Sequence, residues 1–230
     1  LKKIIVILLI FSAALLRAQE PFARMRQALE AGDAEQMVLA DSCVRHNYQM
    51  DSALYYRSLF LLKKGRLTEA KNQIKVLEKK YPDFYLSDYA SALYYFEQED
   101  FGRCTDKLNA VLKKNPQHLK SLYNRALVAG LLEDYKAAQE DLTTCINLQP
   151  SQALFYYSRA YWLELAGKTE AAILDYEQTI QKNSRFFDAY FGIANCYRIQ
   201  KNNEKACEAI DRAESAGSQV AVDLRQTYCR

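Results

Sequence analysis

Residues 119–152 read LKSLYNRALVAGLLEDYKAAQEDLTTCINLQPSQ, and this stretch decides the fold. Its first half carries Leu122 and Ala126 four residues apart, the spacing that lines one side of a helix. Glu133-Asp134-Tyr135 supplies a turn. Ala138, Leu142 and Cys145 then line one side of a second helix, and Pro150 sits where that helix must stop. The same arrangement returns every 34 residues: Pro82, Pro116 and Pro150 are so spaced, with Ser184 in the next slot. Ser58, Ala92, Ala126, Ala160 and Ala194 form a second series, and Ala70, Cys104, Ala138, Ala172 and Ala206 a third. Tyr55, Tyr89, Tyr123, Tyr157 and Phe191 form a fourth. A period of this length describes stacked helix pairs, so the chain is expected to be all-α.

Working outward, clear units lie at 51–84, 85–118, 119–152 and 153–186, and a fifth at 187–217. Their turns are Lys64-Gly65-Arg66, Glu99-Asp100-Phe101-Gly102, Glu133-Asp134-Tyr135, Ala166-Gly167-Lys168 and Lys201-Asn202-Asn203. Glycine and Asn/Asp tolerate the backbone angles such turns need. The small residues let antiparallel helices approach closely, with Ala126 facing Ala138 and Ala160 facing Ala172. Each pair then leaves apolar surface that only the next can cover. Residues 19–50 read as a degenerate first pair. Residues 218–230 hold a final solvating helix, with Ser218 as N-cap and Val220, Leu224 and Tyr228 recurring at four-residue spacing.

Residues 1–18 have the form of a secretory signal peptide, with an uncleaved anchor as the alternative that Arg17 beside the cut keeps open. Lys2 and Lys3 open it, an apolar run from Ile4 to Leu16 follows, and Ala18 precedes a cleavage point before Gln19. Of the 31 basic residues, Lys2, Lys3 and Arg17 belong to this segment, which leaves 28 against 28 acidic ones. The expected mature chain is therefore neutral, and its charge gives no reason to expect nucleic acid or an anionic membrane as partner. The apolar run is too short to span a bilayer, so no stable membrane span is expected after cleavage. The expected location is the periplasm of a Gram-negative envelope.

On Leu122, Ala126, Ala138, Leu142 and Pro150, and again on Tyr156, Ala160, Ala172 and Tyr176, the sequence resembles the tetratricopeptide repeat family. The resemblance covers residues 51–217 well and 19–50 weakly. It implies a right-handed α-α superhelix, a solenoid of five to six helix pairs with a C-terminal capping helix. It also implies that the aromatic series faces a concave groove receiving a partner segment. The groove positions would be Tyr55, Leu59, Tyr89, Leu93, Phe96, Tyr123, Leu127, Tyr157, Tyr161, Phe191 and Asn195, with Leu62 and Arg198 nearby. The alternative is that the rings pack between neighbouring first helices. The basic-and-asparagine pattern that grips chaperone carboxylates is absent apart from Lys120.

The six cysteines at 43, 104, 145, 196, 207 and 229 all follow the signal segment, and an exported chain meets an oxidising compartment. Cys43, Cys104 and Cys145 sit at small core positions and read as buried thiols. Cys207 and Cys229 mirror one another around the turn at 216–218, and a disulfide there would staple the last helix. Cys196 competes for Cys207, and no bridge at all is the third option. Arg125 with Asp141, and Arg159 with Asp175, read as ion pairs within a unit. His46 and His118 read as exposed loop residues. No nucleophile, metal or phosphate-loop motif is present, so neither an enzyme nor a cofactor nor a metal is expected.

The expected function is that of a non-enzymatic protein–protein interaction scaffold in the bacterial envelope, binding a partner segment in the groove. A glycan-binding module centred on Tyr161, Glu164, Asn195 and Arg198 is one alternative. A self-associating structural element, such as a homodimer, is the other.

Overall fold

The computed structural model describes residues 50–229. The expected signal peptide at 1–18 and the degenerate pair at 19–50, with Cys43 and His46, lie outside the described residues apart from Met50. Within them the chain is all-α. The helices are α1 (Met50–Lys63), α2 (Leu67–Lys80), α3 (Leu86–Glu97), α4 (Phe101–Lys114), α5 (Leu119–Leu131), α6 (Tyr135–Leu148), α7 (Ala153–Leu165), α8 (Thr169–Lys182), α9 (Phe187–Ile199), α10 (Asn203–Ser215) and α11 (Gln219–Tyr228). They fall into two compact units. The first ends at Lys114 and holds α1–α4; the second begins at Asn115 and holds α5–α11. Within each unit consecutive helices pack as antiparallel pairs.

One hydrogen-bonded turn closes every pair. Gly65, Glu99, Glu133, Gly167 and Lys201 occupy the same register, each with φ between 55° and 75°. The next residue's N–H donates five residues back, from Arg66 to Leu61, Asp100 to Tyr95, Asp134 to Ala129, Lys168 to Leu163 and Asn202 to Tyr197, each at 2.9 Å. This is a Schellman closure. It corrects the sequence reading, which gave the unusual backbone angle to glycine and Asn/Asp. In three turns a Glu or Lys takes it, at a cost of about 1–2 kcal/mol that the closing hydrogen bonds offset. The acidic or amide residue that follows caps the next helix instead. Asp100, Asp134 and Asn202 accept the N–H of Arg103, Ala137 and Lys205 at 3.0, 3.0 and 3.1 Å.

The small residues stand at the helix crossings. Ala70, Ala138 and Ala172 are fully buried, as are their partners Ser58, Ala126 and Ala160. Beside the crossing, one register of the second unit is filled in two chemically different ways. Arg125 grips Asp141 with two hydrogen bonds of 2.8 and 2.7 Å, and Arg159 grips Asp175 at 2.6 and 2.8 Å. Thirty-four residues on, the same positions hold Ile193 and Ala209, both buried. The ion pair and the apolar pair thus solve the same packing problem.

Oversized residues are matched by glycines. Tyr176 stands where Leu142 and Ile210 stand in neighbouring pairs, and Trp162 where Val128 and Cys196 stand. A Cβ on Gly192 would come within 2.3 Å of the Tyr176 ring, and one on Gly130 within 2.3 Å of the Trp162 indole.

A disulfide between Cys207 and Cys229, with Cα atoms 5.6 Å apart, ties α11 to α10. Cys196 is a buried free thiol, so the competing bridge to Cys207 is not formed. Ser218 caps α11 by accepting the Ala221 N–H. The inward residues are Ala221 and Leu224, whereas Val220, expected inside, is exposed. The cap and the disulfide together set the rotation of the helix. The Arg225 guanidinium, 2.6 Å from Asp211 and 3.5 Å from Glu214, adds exposed ion pairs.

Two stability predictions follow from these packings. Asp175→Ala alone strands the half-buried Arg159 and should cost about 2–4 kcal/mol, below the full figure for a buried pair because the arginine stays partly hydrated. The double variant Arg159→Ile/Asp175→Ala, which copies Ile193 and Ala209, should recover most of that loss in urea unfolding. Gly192→Ala should cost about 1–3 kcal/mol by overpacking. Adding Tyr176→Leu should relieve the clash, so the double variant should be less destabilised than the two single effects added together.

Candidate functional site

On an α-helix residues four apart lie on one face, so each first helix offers three successive positions along one stripe. In the second unit the stripes are Tyr123-Leu127-Leu131 on α5, Tyr157-Tyr161-Leu165 on α7 and Phe191-Asn195-Ile199 on α9. Exposure rises along each stripe toward the turn.

The inner rings are engaged in packing. Tyr123 lies 5.6 Å from the Phe155 ring, and its hydroxyl is 3.3 Å from Ser158 Oγ. Tyr157 lies 4.6 Å from Phe186 and 5.8 Å from Tyr176. Burial, and then Asp188 nearby, raises the Tyr157 phenol above its ordinary range. Phe191 is half-buried. In the middle of the stripes Leu127 and Asn195 are half-buried, and Tyr161 is 42% exposed. The outer positions are open: Leu131 is 51%, Leu165 48% and Ile199 52% exposed. The sequence reading did not single out this outer row. Its signal was present, because three large apolar residues recur at 34-residue spacing just before a turn, where a helix end facing water has no need of them.

The first unit is more closed at the same registers. Tyr55 and Tyr89 are buried, Tyr55 sits 6.0 Å edge-on to Phe84, and Leu62 is buried too. Leu59, Leu93 and Phe96 are half-buried, with Phe96 5.9 Å from Phe101. Lys63 and Glu97 occupy the outer register. The packing reading therefore describes Tyr55 and Tyr89, which leave little ring surface for a partner.

A polar chain runs across the face of the second unit. Glu164 accepts the Tyr176 hydroxyl at 2.7 Å and the Asn195 amide N–H. Asn195 Oδ1 in turn accepts from Arg198 at 2.9 and 3.2 Å. Both polar atoms of Asn195 are thus committed within the chain, while the Arg198 guanidinium is exposed. Arg198 also borders a pocket of about 470 Å³ formed by α9, α10 and α11.

The other groups singled out by the sequence have structural places. His118 is half-buried ahead of α5, its Nδ1 is 2.8 Å from Ser121 Oγ, and burial lowers its pKa. This corrects the reading of it as an exposed loop residue, because the side chain is turned back onto the helix start. Among the described residues no three His, Cys, Asp or Glu side chains gather to hold a metal. No helix there is long and apolar enough to cross a membrane.

Comparison with known proteins matches this architecture. Residues 119–152 and 166–221 each match a tetratricopeptide repeat family model. The chain carries tetratricopeptide repeats at both stretches. YrrB, a repeat protein with an unusual peptide-binding site, superposes with a TM-score of 0.65 at 16% identity, over 85% of this chain and 99% of YrrB. MamA from Desulfovibrio magneticus RS-1 superposes with a TM-score of 0.66 at 17% identity, over 73% of this chain and 95% of that one. No curated protein matches the sequence. A tetratricopeptide repeat protein is built as a scaffold for protein–protein interaction, since stacked helix pairs present extended binding surfaces.

The free thiols of this repeat protein are structural. Burial pushes Cys104 up to about 11, and Cys145 and Cys196 up to about 12, from 9.0. The thiolate is then absent near neutrality, so peptide-level mass spectrometry should find Cys104, Cys145 and Cys196 unalkylated by iodoacetamide at mildly alkaline pH and fully alkylated in denaturant. Because the folded pKa values lie above the unfolded one, the stability these thiols contribute is complete below pH 9 and should fall away as pH rises toward 12.

Proposed function

We propose that this protein is a non-enzymatic interaction scaffold of the bacterial cell envelope, and that a segment of a partner protein lies across the first-helix face of the second unit. One observation carries the reading: the outer row Leu131, Leu165 and Ile199, with Tyr161 beside it, keeps large apolar side chains in water at every repeat of that unit. Scattered single exposures need no explanation, but a row in register does. Tyrosine and branched aliphatic side chains at such positions supply contact area at low entropic cost. The envelope location rests on the basic and apolar character of residues 1–18 and on the disulfide between Cys207 and Cys229, which suits an oxidising compartment.

The test is a crosslinked capture from cell envelopes, with mass-spectrometric identification of what is bound. The variant Leu131→Ala/Leu165→Ala/Ile199→Ala/Tyr161→Ala changes only exposed positions and should keep the helical circular dichroism of the wild type. The expected result is one partner protein held by the wild type and lost with the variant. Capture that survives the variant would move the function to another surface. Recovery of this chain alone would favour self-association, and retention of purified envelope glycan without protein would favour sugar binding.

A further inference from the structure

The last helix pair is covered differently from the others. The crossing residue of its second helix, Ala206, is only half-buried, while its counterparts Ala70, Ala138 and Ala172 are fully buried and Cys104 nearly so. The reason lies in α11. That helix has 10 residues against the 13 of α7 and α9, and it turns Ala221 and Leu224 inward. Small residues on both sides leave a slot that interior pairs of the second unit fill with their own chain. That slot is the pocket of about 470 Å³.

Its walls have a definite chemistry. Phe191, Ile210 and Leu224 make an apolar floor, with Ala194 and Ala206 between them. Asn195, Arg198 and Asn203 make the polar part, and among the described residues no carboxylate lines it. Among the described residues Arg198 hydrogen-bonds the neutral Asn195 side chain alone and no carboxylate pairs with it. Arg125 and Arg159, by contrast, each hold an aspartate. Cys207 lies on the wall, so the disulfide to Cys229 fixes the spacing of α10 and α11 around the slot. A slot held open by a covalent tie is preorganised, which lowers the ordering cost of binding.

We propose that this slot is a binding site for a protein segment that inserts one aromatic or branched aliphatic side chain between α9, α10 and α11 and pairs an adjacent carboxylate with Arg198. The inference deepens the scaffold reading and rests on it. Phe191 and Asn195 belong both to the slot and to the first-helix face, so a segment lying on that face reaches the slot without a break. The apolar floor gives the insertion its driving force. A guanidinium with no carboxylate partner among the described residues selects an anionic neighbour, with the planar fork that matches a carboxylate.

The experiment is an NMR titration of the isotope-labelled full chain with N-acetyl-phenylalaninate, and separately with its uncharged amide. The expected result is saturable shift changes confined to amides of α9, α10 and α11 for the carboxylate. The amide should bind about tenfold more weakly, the weight of one charge-assisted contact, and Arg198→Gln should weaken the carboxylate to the same degree. Arg198 is exposed, so this variant should fold. Absence of saturable shifts, shifts centred elsewhere, equal binding of the amide, or indifference to Arg198→Gln would each overturn the proposal. If the probe fails while envelope capture still depends on the outer row, the slot proposal falls and the scaffold reading stands. If the probe binds while capture is indifferent to that row, the slot stands as a site and the extended face does not.

Discussion

The structure depends on one steric constraint. Two antiparallel helices joined by a short turn can lie close together only where neither carries more than a Cβ, a hydroxyl or a thiol at the crossing. Ala126 with Ala138 and Ala160 with Ala172 meet that condition and are completely buried. A larger residue there would separate the pair, and the loss would spread to each neighbour packed on it, because interiors transmit strain rather than absorb it. The turns answer the same constraint from the other side. A Schellman closure fixes the direction in which the chain re-enters, and the capping Asp or Asn fixes where the second helix begins. Once both are set, the crossing residue is delivered to the same place in every repeat.

Beside the crossing, the chain has more freedom and uses it. In the second unit an Arg–Asp pair in two repeats and Ile193 with Ala209 in a third fill one register, so what that register requires is a filled and satisfied space rather than one chemistry. This is expected when a half-buried ion pair roughly balances its desolvation against its Coulomb gain. The same exchange explains Tyr176 with Gly192 and Trp162 with Gly130. A ring too large for its register is accepted because the neighbouring helix gives up its Cβ.

This distinction marks what could be read in the sequence. The period, the helix pairs, the crossing residues and the Arg–Asp partners were legible because each depends on spacing within a single repeat. The destinations of side chains that depend on two repeats were not. Nothing local distinguishes Tyr89, which is buried, from Tyr123 and Tyr157 in the same register, which are half-buried; the difference lies in what the next helix places against them. Glu133 and Lys201 in left-handed turns escaped notice because the hydrogen bonds that hold them there come from the preceding helix, not from their own preference. Val220, expected inside, faces water because a cap and a disulfide, rather than hydropathy, orient α11.

The candidate surfaces arise from the same rule at its limits. Along each first helix, contacts with neighbouring helices satisfy the inner ring and thin out toward the turn, so Leu131, Leu165 and Ile199 are left in water by geometry and not by a failure of packing. At α11 the supply of covering side chains falls short, and Ala206 is left with a slot beside it. A stack whose units each need the next to complete their cores must expose uncompleted core wherever that supply falls short. Such a surface has the shape and apolar character of an interior. On the proposed reading it would receive a partner's side chain on the same terms on which the stack receives its own, and Arg198 at its rim adds the one feature the interior registers lack: a guanidinium with no carboxylate of the described chain to hold it.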